Sequence, residues 1–175
     1  MTMAILKGLM QGYLSALLDE GVVNDRFNAI VCLNNTVERR ERVVQQIETY
    51  FADVDMILTE ISLDVDNSAF DFSRLASLAR QIEEKSDRNW YINAGKWGRI
   101  LFDYRTVEAL RGIGAEHMRL ACPEFIKACD EMNKRMLSRT LLWVKHEFAN
   151  TKRKLEAFVQ MERRIIRLER SNSSN

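Results

Sequence analysis

Two long stretches in which apolar residues recur every three or four positions confine this chain to helical folds. In the first, Val43, Val44, Ile47, Tyr50, Phe51, Val54, Ile57, Leu58 and Ile61 keep that spacing through Leu63, which is one core-facing helix of about seven turns. In the second, Leu141, Val144, Phe148, Thr151, Leu155, Phe158, Glu162 and Ile165 alternate in steps of three and four, a seam of coiled-coil type. A strand would need a period of two, and neither stretch has it. Seven glycines and a single proline, Pro123, are too few for a turn-rich β protein, and the charged, Leu- and Arg-rich composition favours helix.

The rest of the chain reads in the same period. Ile5, Leu6, Leu9, Met10, Tyr13, Leu14, Leu17 and Leu18 make an amphipathic first helix over Met3 to Leu18, ended by Gly21. Asn24 and Asp25 offer caps for a short helix holding Phe27, Ile30 and Val31, which closes at Asn34-Asn35. Thr36 lacks the acidic member of a capping box, so the start of the long helix is placed by pattern alone. Asp71 or Ser73 caps a helix from Phe70 to Ser86, with Leu75, Leu78, Ala79 and Ile82 on one face. Arg80 lies roughly 140° around that helix from Leu75, towards solvent or a partner.

After Ser86 the periodicity fails. Asp87 to Arg99 mixes aromatics, asparagines and two glycines and reads as a loop, Ile100 to Leu110 turns helical again, and Gly112 and Gly114 punctuate. Ala115 to Met132 carries another core stripe of Met118, Leu120, Ala121, Phe125, Ile126 and Cys129, with a kink expected at Pro123. Asn133-Lys134 links to the final helix, and Ser171 to Asn175 reads as a disordered tail. The expectation is an all-α, antiparallel four-helix bundle preceded by one or two shorter helices. It forms a single domain over residues 1–170, with an atypical insertion at about 87–112 and no internal repeat.

Charge is balanced overall, at 26 basic against 25 acidic residues, which gives no global argument for nucleic acid. Its distribution is uneven: Glu41 to Asp87 holds eleven acidic and four basic residues, Lys134 to Arg170 eleven basic and four acidic. Helix faces that attract one another within the bundle account for this asymmetry, and a partner-binding patch is the sharper alternative. Cys32, Cys122 and Cys129 form no C-x-x-C pair and read as reduced, mostly buried thiols. No apolar run reaches the roughly 18 residues of a membrane span, so the expectation is a soluble cytosolic protein small enough to enter the nucleus.

Catalytic and cofactor signals are weak. His117 and His146 lack a ligand set at metal spacing, and His146-Glu147 lacks the second histidine of H-E-x-x-H. Gly95-Lys96-Trp97-Gly98 lacks the earlier glycine and the Ser or Thr of a phosphate loop. Glu83 and Glu84 are adjacent and point about 100° apart, a poor acid/base pair. Trp90, Tyr91 and Trp97 beside Arg88, Lys96 and Arg99 have no sheet on which to display bases, so they read as loop aromatics folded onto the bundle. No cofactor and no enzymatic activity are expected.

Several motifs together resemble the plant histidine-containing phosphotransfer proteins of two-component signalling. Leu17 to Phe27 is similar to the family's "eGiLDeqF" and Glu48 to Val54 to its "lfFkDs", with Asp71-Phe72-Ser73-Arg74 following. Ile113-Gly114-Ala115 through Cys122, Phe125, and Cys129-Asp130-Glu131-Met132-Asn133 look like "SIGAxrvrxxCxxFrxxCExxN". Val144 to Phe148 and Lys152 to Leu155 look like "vkxEyxxlkxkL". The resemblance covers nearly the whole chain, and the spacing from Ile-Gly-Ala to Cys is its most specific part.

The family carries its phosphoryl group on the histidine of "HqLKGSSsSIGA". Counted without a gap from Phe51 through Asp71, that histidine falls on Arg80, its assisting lysine on Glu83 and the helix-surface glycine on Glu84. Counting back from Ala115 instead places Tyr104, or Glu108, at the acceptor position. No register puts histidine there, and a guanidinium has no free nitrogen lone pair with which to accept a phosphoryl group. The resemblance thus implies a pseudo-phosphotransfer protein of cytokinin signalling, with a receiver-binding surface at Arg80, Gln81, Glu83 and Glu84. It would bind receiver domains of hybrid histidine kinases and response regulators as a monomer in cytoplasm and nucleus, damping the relay without carrying phosphate. The alternative is a helical adaptor with no phosphorelay role.

Overall fold

The computed structural model describes residues 2–32, 36–67, 71–86 and 114–174. They form six helices: α1 (Met3–Asp19), α2 (Asp25–Cys32), α3 (Val37–Asp66), α4 (Phe72–Ser86), α5 (Glu116–Asp130) and α6 (Lys134–Ser173). The expected loop and helix between Asp87 and Leu110 lie outside the described residues, as do Tyr104 and Glu108.

The helix ends follow from local chemistry. Thr36, placed by pattern alone from the sequence, caps α3 by accepting from the Arg39 amide at 3.3 Å. Asp71 rather than Ser73 starts α4, accepting from the Arg74 amide at 3.0 Å. Asn133 does the same for α6 through the Met136 amide at 3.1 Å. α1 stops as the chain turns through Gly21, whose φ of +67° suits a residue without a side chain. α5 runs through Pro123 as one helix. α6 continues to Ser173, three residues past the end expected from composition, with the Ser171, Ser173 and Ser174 hydroxyls donating to carbonyls one turn back.

α3, α4, α5 and α6 close a ring, α3 on α4, α4 on α5, α5 on α6 and α6 on α3, with no packing across either diagonal among the described residues. This is the antiparallel four-helix bundle expected from the sequence. The long helices overhang it: α6 spans about 60 Å and α4 and α5 only about 22 Å each. The overhanging ends of α3 and α6 are covered by α1, which packs on α6, and by α2, which touches α1 and α3. Phe27 of α2 meets Phe158 of α6 edge-on at 5.3 Å, and both are buried.

The uneven charge resolves into pairs between α3 and α6. Glu41 pairs with Arg170, Glu48 with Arg163, and Asp55 with Lys152 at 2.6 Å. One pair lies inside: Arg40 donates to Glu162 at 2.8 Å, with the glutamate fully buried in the seam. Burial holds the Glu162 carboxyl above its ordinary range, against the opposing pull of Arg40. Leu120 departs from the expected core stripe. It is about half exposed because the buried side of α5 is narrower than the apolar pattern, running through Met118, Ala121, Cys122, Phe125 and Cys129.

Candidate functional site

α4 is the helix on which the sequence placed the acceptor position, and its setting is built from three ties. Leu75, Ala76, Leu78, Ala79 and Ile82 bury one face, and Arg74 and Lys85 reach to α3, pairing with Glu60 and, at 2.7 Å, with Asp53. At its end, Ser86 is buried and shares a 2.8 Å hydrogen bond with the Tyr50 hydroxyl. Burial pushes the Tyr50 phenol far above its usual range, so this contact is between neutral hydroxyls.

The outward side of α4 carries Ser73, Ser77, Arg80, Gln81 and Glu84, all exposed. Arg80 leans towards the end of α5, where its guanidinium lies 3.6 Å from Asp130, both side chains at least half in solvent. Such a pair is loose enough to be exchanged for another carboxylate. Glu83, grouped with the others from the sequence, is only half exposed and sits on the α5 side, where its charge helps raise the Cys122 thiol. Asp130 was missed as a site residue: nothing in the period of α5 marks it, and only the packing of α5 on α4 brings it to Arg80. Every cation on the outward half of α4 therefore has a carboxylate neighbour from α3 or α5.

The two histidines lie elsewhere. His117, at the start of α5, has Nδ1 3.1 Å from Glu147 of α6, and its Nε2 faces the turn at Gly21. His146 is exposed on α6, diagonally across the bundle from α4. Among the described residues no group of three or more His, Cys, Asp or Glu side chains could hold a metal ion.

The chain leaves α4 and returns to it at one point. The Ala115 amide donates to the Ser86 carbonyl at 3.0 Å, so the ends of the stretch between them are adjacent. From there Gly114 and Glu116 clasp the α1–α2 turn: Asn24 donates to the Gly114 carbonyl and Glu116 to the Val22 carbonyl, each at 3.0 Å. Gly114 has φ +72°, and a Cβ there would strike the Asn24 carboxamide and the Phe27 amide nitrogen. This explains why glycine stands in the Ile-Gly-Ala motif.

The fold and the sequence as a whole have counterparts among known proteins. A structure of a histidine-containing phosphotransfer protein from rice superposes with a TM-score of 0.71, covering 93% of this chain and 97% of that one at 18% identity. The fold is that of the plant histidine-containing phosphotransfer proteins. In sequence, the chain is similar to histidine-containing phosphotransfer protein 1 of Arabidopsis thaliana, at 26% identity over 158 residues, 90% of this chain and 86% of the relative. It is also similar to pseudo histidine-containing phosphotransfer protein 2 of Oryza sativa subsp. japonica, at 27% over 150 residues, 85% and 82% of the two chains. No family model matches the chain. The relatives similar in sequence include both a protein named as histidine-containing and one named as pseudo.

Proposed function

We propose that this chain is a pseudo-phosphotransfer protein of a two-component phosphorelay, one that binds receiver domains of hybrid kinases and response regulators without carrying phosphate. The observation that carries the reading is Arg80. The ungapped register from Phe51 sets it at the acceptor position, and it projects from the outward side of α4, where an acceptor would have to stand to meet a partner. A guanidinium stays protonated and offers no nucleophilic nitrogen. Neither histidine compensates, since one is tied to Glu147 and the other is across the bundle.

On this reading Arg80 is a docking group. A receiver presents a cluster of carboxylates around its phosphorylation site, and Arg80 exchanges Asp130 for them. Gln81 and Glu84 flank it on the same side. The stretch at about 87–112 is read as an insertion into an otherwise intact bundle, in keeping with the adjacency of Ser86 and Ala115. Function in cytokinin signalling, in cytoplasm and nucleus and as a damping monomer, follows from the same reading.

The test uses the purified full chain and isolated receiver domains. Binding is expected in the range of tens of micromolar or tighter, weakened on the order of tenfold by Arg80→Glu. Labelled phosphate is expected to stay on a charged receiver when the chain is added. Acid-labile, alkali-stable label on the chain would overturn the acceptor-less reading, and absence of receiver binding would overturn the docking role.

A further inference from the structure

The outer side of α6 in its first half combines exposed apolar and basic side chains. Arg135, Met136, Arg139, Leu142, Trp143 and His146 share it, Arg139 standing three or four residues from Arg135, Met136, Leu142 and Trp143, and all are exposed. Leu142 is 68% exposed and Trp143 41%. Neither helps the core, which takes Leu137, Leu141 and Val144 from the opposite side of the same turns. Solvent-facing leucine and tryptophan side by side are an energetic cost to an isolated domain and are common anchors in interfaces. The indole is already oriented, its Nε1 donating to Glu147 at 3.3 Å, so little rotamer freedom is left to lose on binding.

Charge selects the kind of partner. Four α6 cations are paired, Lys152 with Asp55, Lys154 with Glu20, Arg163 with Glu48 and Arg170 with Glu41. Arg135 and Arg139 have no carboxylate within ion-pair distance among the described residues, and they bracket the apolar pair on its N-terminal side. A second copy of the chain docked through the same stripe would bring four such arginines into one interface with no carboxylate on the stripe to meet them.

We propose that this stripe is a docking surface for an acidic, amphipathic segment of another protein, which seats an apolar side chain against Leu142 and Trp143 and its carboxylates against Arg135 and Arg139. The stripe lies on α6, which does not pack on α4, so it is a surface separate from the outward side of α4 that carries Arg80. The chain can then hold two proteins at once, whatever binds at α4.

The test titrates the full chain with a synthetic helical peptide bearing leucines on one face flanked by glutamates, read by fluorescence anisotropy. Two controls run beside it, the same peptide with lysine for glutamate and vesicles of anionic phospholipid. Expected are binding of the acidic peptide alone, weakened on the order of tenfold by Leu142→Ala combined with Trp143→Ala and by Arg135→Glu combined with Arg139→Glu. Arg80→Glu is expected to leave it unchanged, and the far-ultraviolet circular dichroism of each variant to match wild type. The proposal is overturned if the acidic peptide does not bind, if these variants bind it as wild type does, if vesicles bind and the peptide does not, or if sedimentation shows self-association that the arginine variants abolish.

Discussion

Removing Arg40 tests how a charge is tolerated inside this bundle. Glu162 is fully buried in the α3–α6 seam; one of its oxygens accepts from Arg40 at 2.8 Å and the other has no hydrogen-bond partner. Arg40→Met keeps the volume and leaves the carboxylate without its cation. Breaking a buried pair in this way costs about 3–5 kcal/mol. Lys7 and Glu169 stand nearby, at 2.8 Å from each other, and since Glu169 disfavours ionised Glu162 more than Lys7 favours it, they do not replace Arg40 and a loss of at least about 3 kcal/mol is expected. With a urea slope of about 2 kcal/mol/M, the unfolding midpoint followed by circular dichroism falls by about 1.5 M.

The pH dependence has a definite sign. The folded-state pKa of Glu162 is raised, so its stability contribution is fully present below the unfolded carboxyl value of about 4.3 and is lost as pH rises through the folded value. Without Arg40 the folded value rises further, and the deficit of Arg40→Met is therefore largest at neutral pH and shrinks on acidification towards about 4.3. Adding Glu162→Leu removes the buried charge altogether. The double variant is expected to recover most of the loss, because desolvation outweighs the pull of Arg40 in the native pair. A neutral-pH deficit below about 1 kcal/mol for Arg40→Met, or a double variant less stable than the single one, would refute the reasoning.

Gly114→Ala combines a left-handed backbone, at about 1–2 kcal/mol, with a collision against Asn24 and the Phe27 amide. Asn24 cannot withdraw, being bonded to Glu116 at 3.1 Å and to the Arg26 amide at 3.1 Å, so a loss of about 3 kcal/mol or more in chemical unfolding is expected; a wild-type midpoint would contradict the clasp. Phe158→Ala removes a fully buried ring packed edge-on against Phe27 and is expected to cost about 3–5 kcal/mol by the same assay. Burial pushes the Cys122 and Cys129 thiols up to about 12 and about 11, and Cys32 is exposed. A thiol reagent at neutral pH should therefore label Cys32 rapidly and the other two only on unfolding, which peptide mass mapping reads directly. Rapid native labelling of Cys122 would contradict its packing.

Spacing alone determined that this chain is helical, where α3 and α6 run, and which side of α4 faces out, because a helix carries its own period and a stripe of apolar residues declares the face it must bury. The charge asymmetry likewise announced complementary faces, now seen as the pairs between Glu41, Glu48 and Asp55 of α3 and Arg170, Arg163 and Lys152 of α6. The absence of histidine at position 80 needs no coordinates. Only the tertiary structure decided what depends on neighbours distant in the chain. It set Leu120 outside a core too narrow for it, turned Glu83 towards α5, brought Asp130 to Arg80, and placed Gly114 where a side chain would collide with Asn24. A periodic pattern specifies the direction of a side chain around its own helix but not the breadth of the neighbour that covers it. Whether a residue on the edge of a stripe ends up buried, paired or exposed is settled by the partner helix.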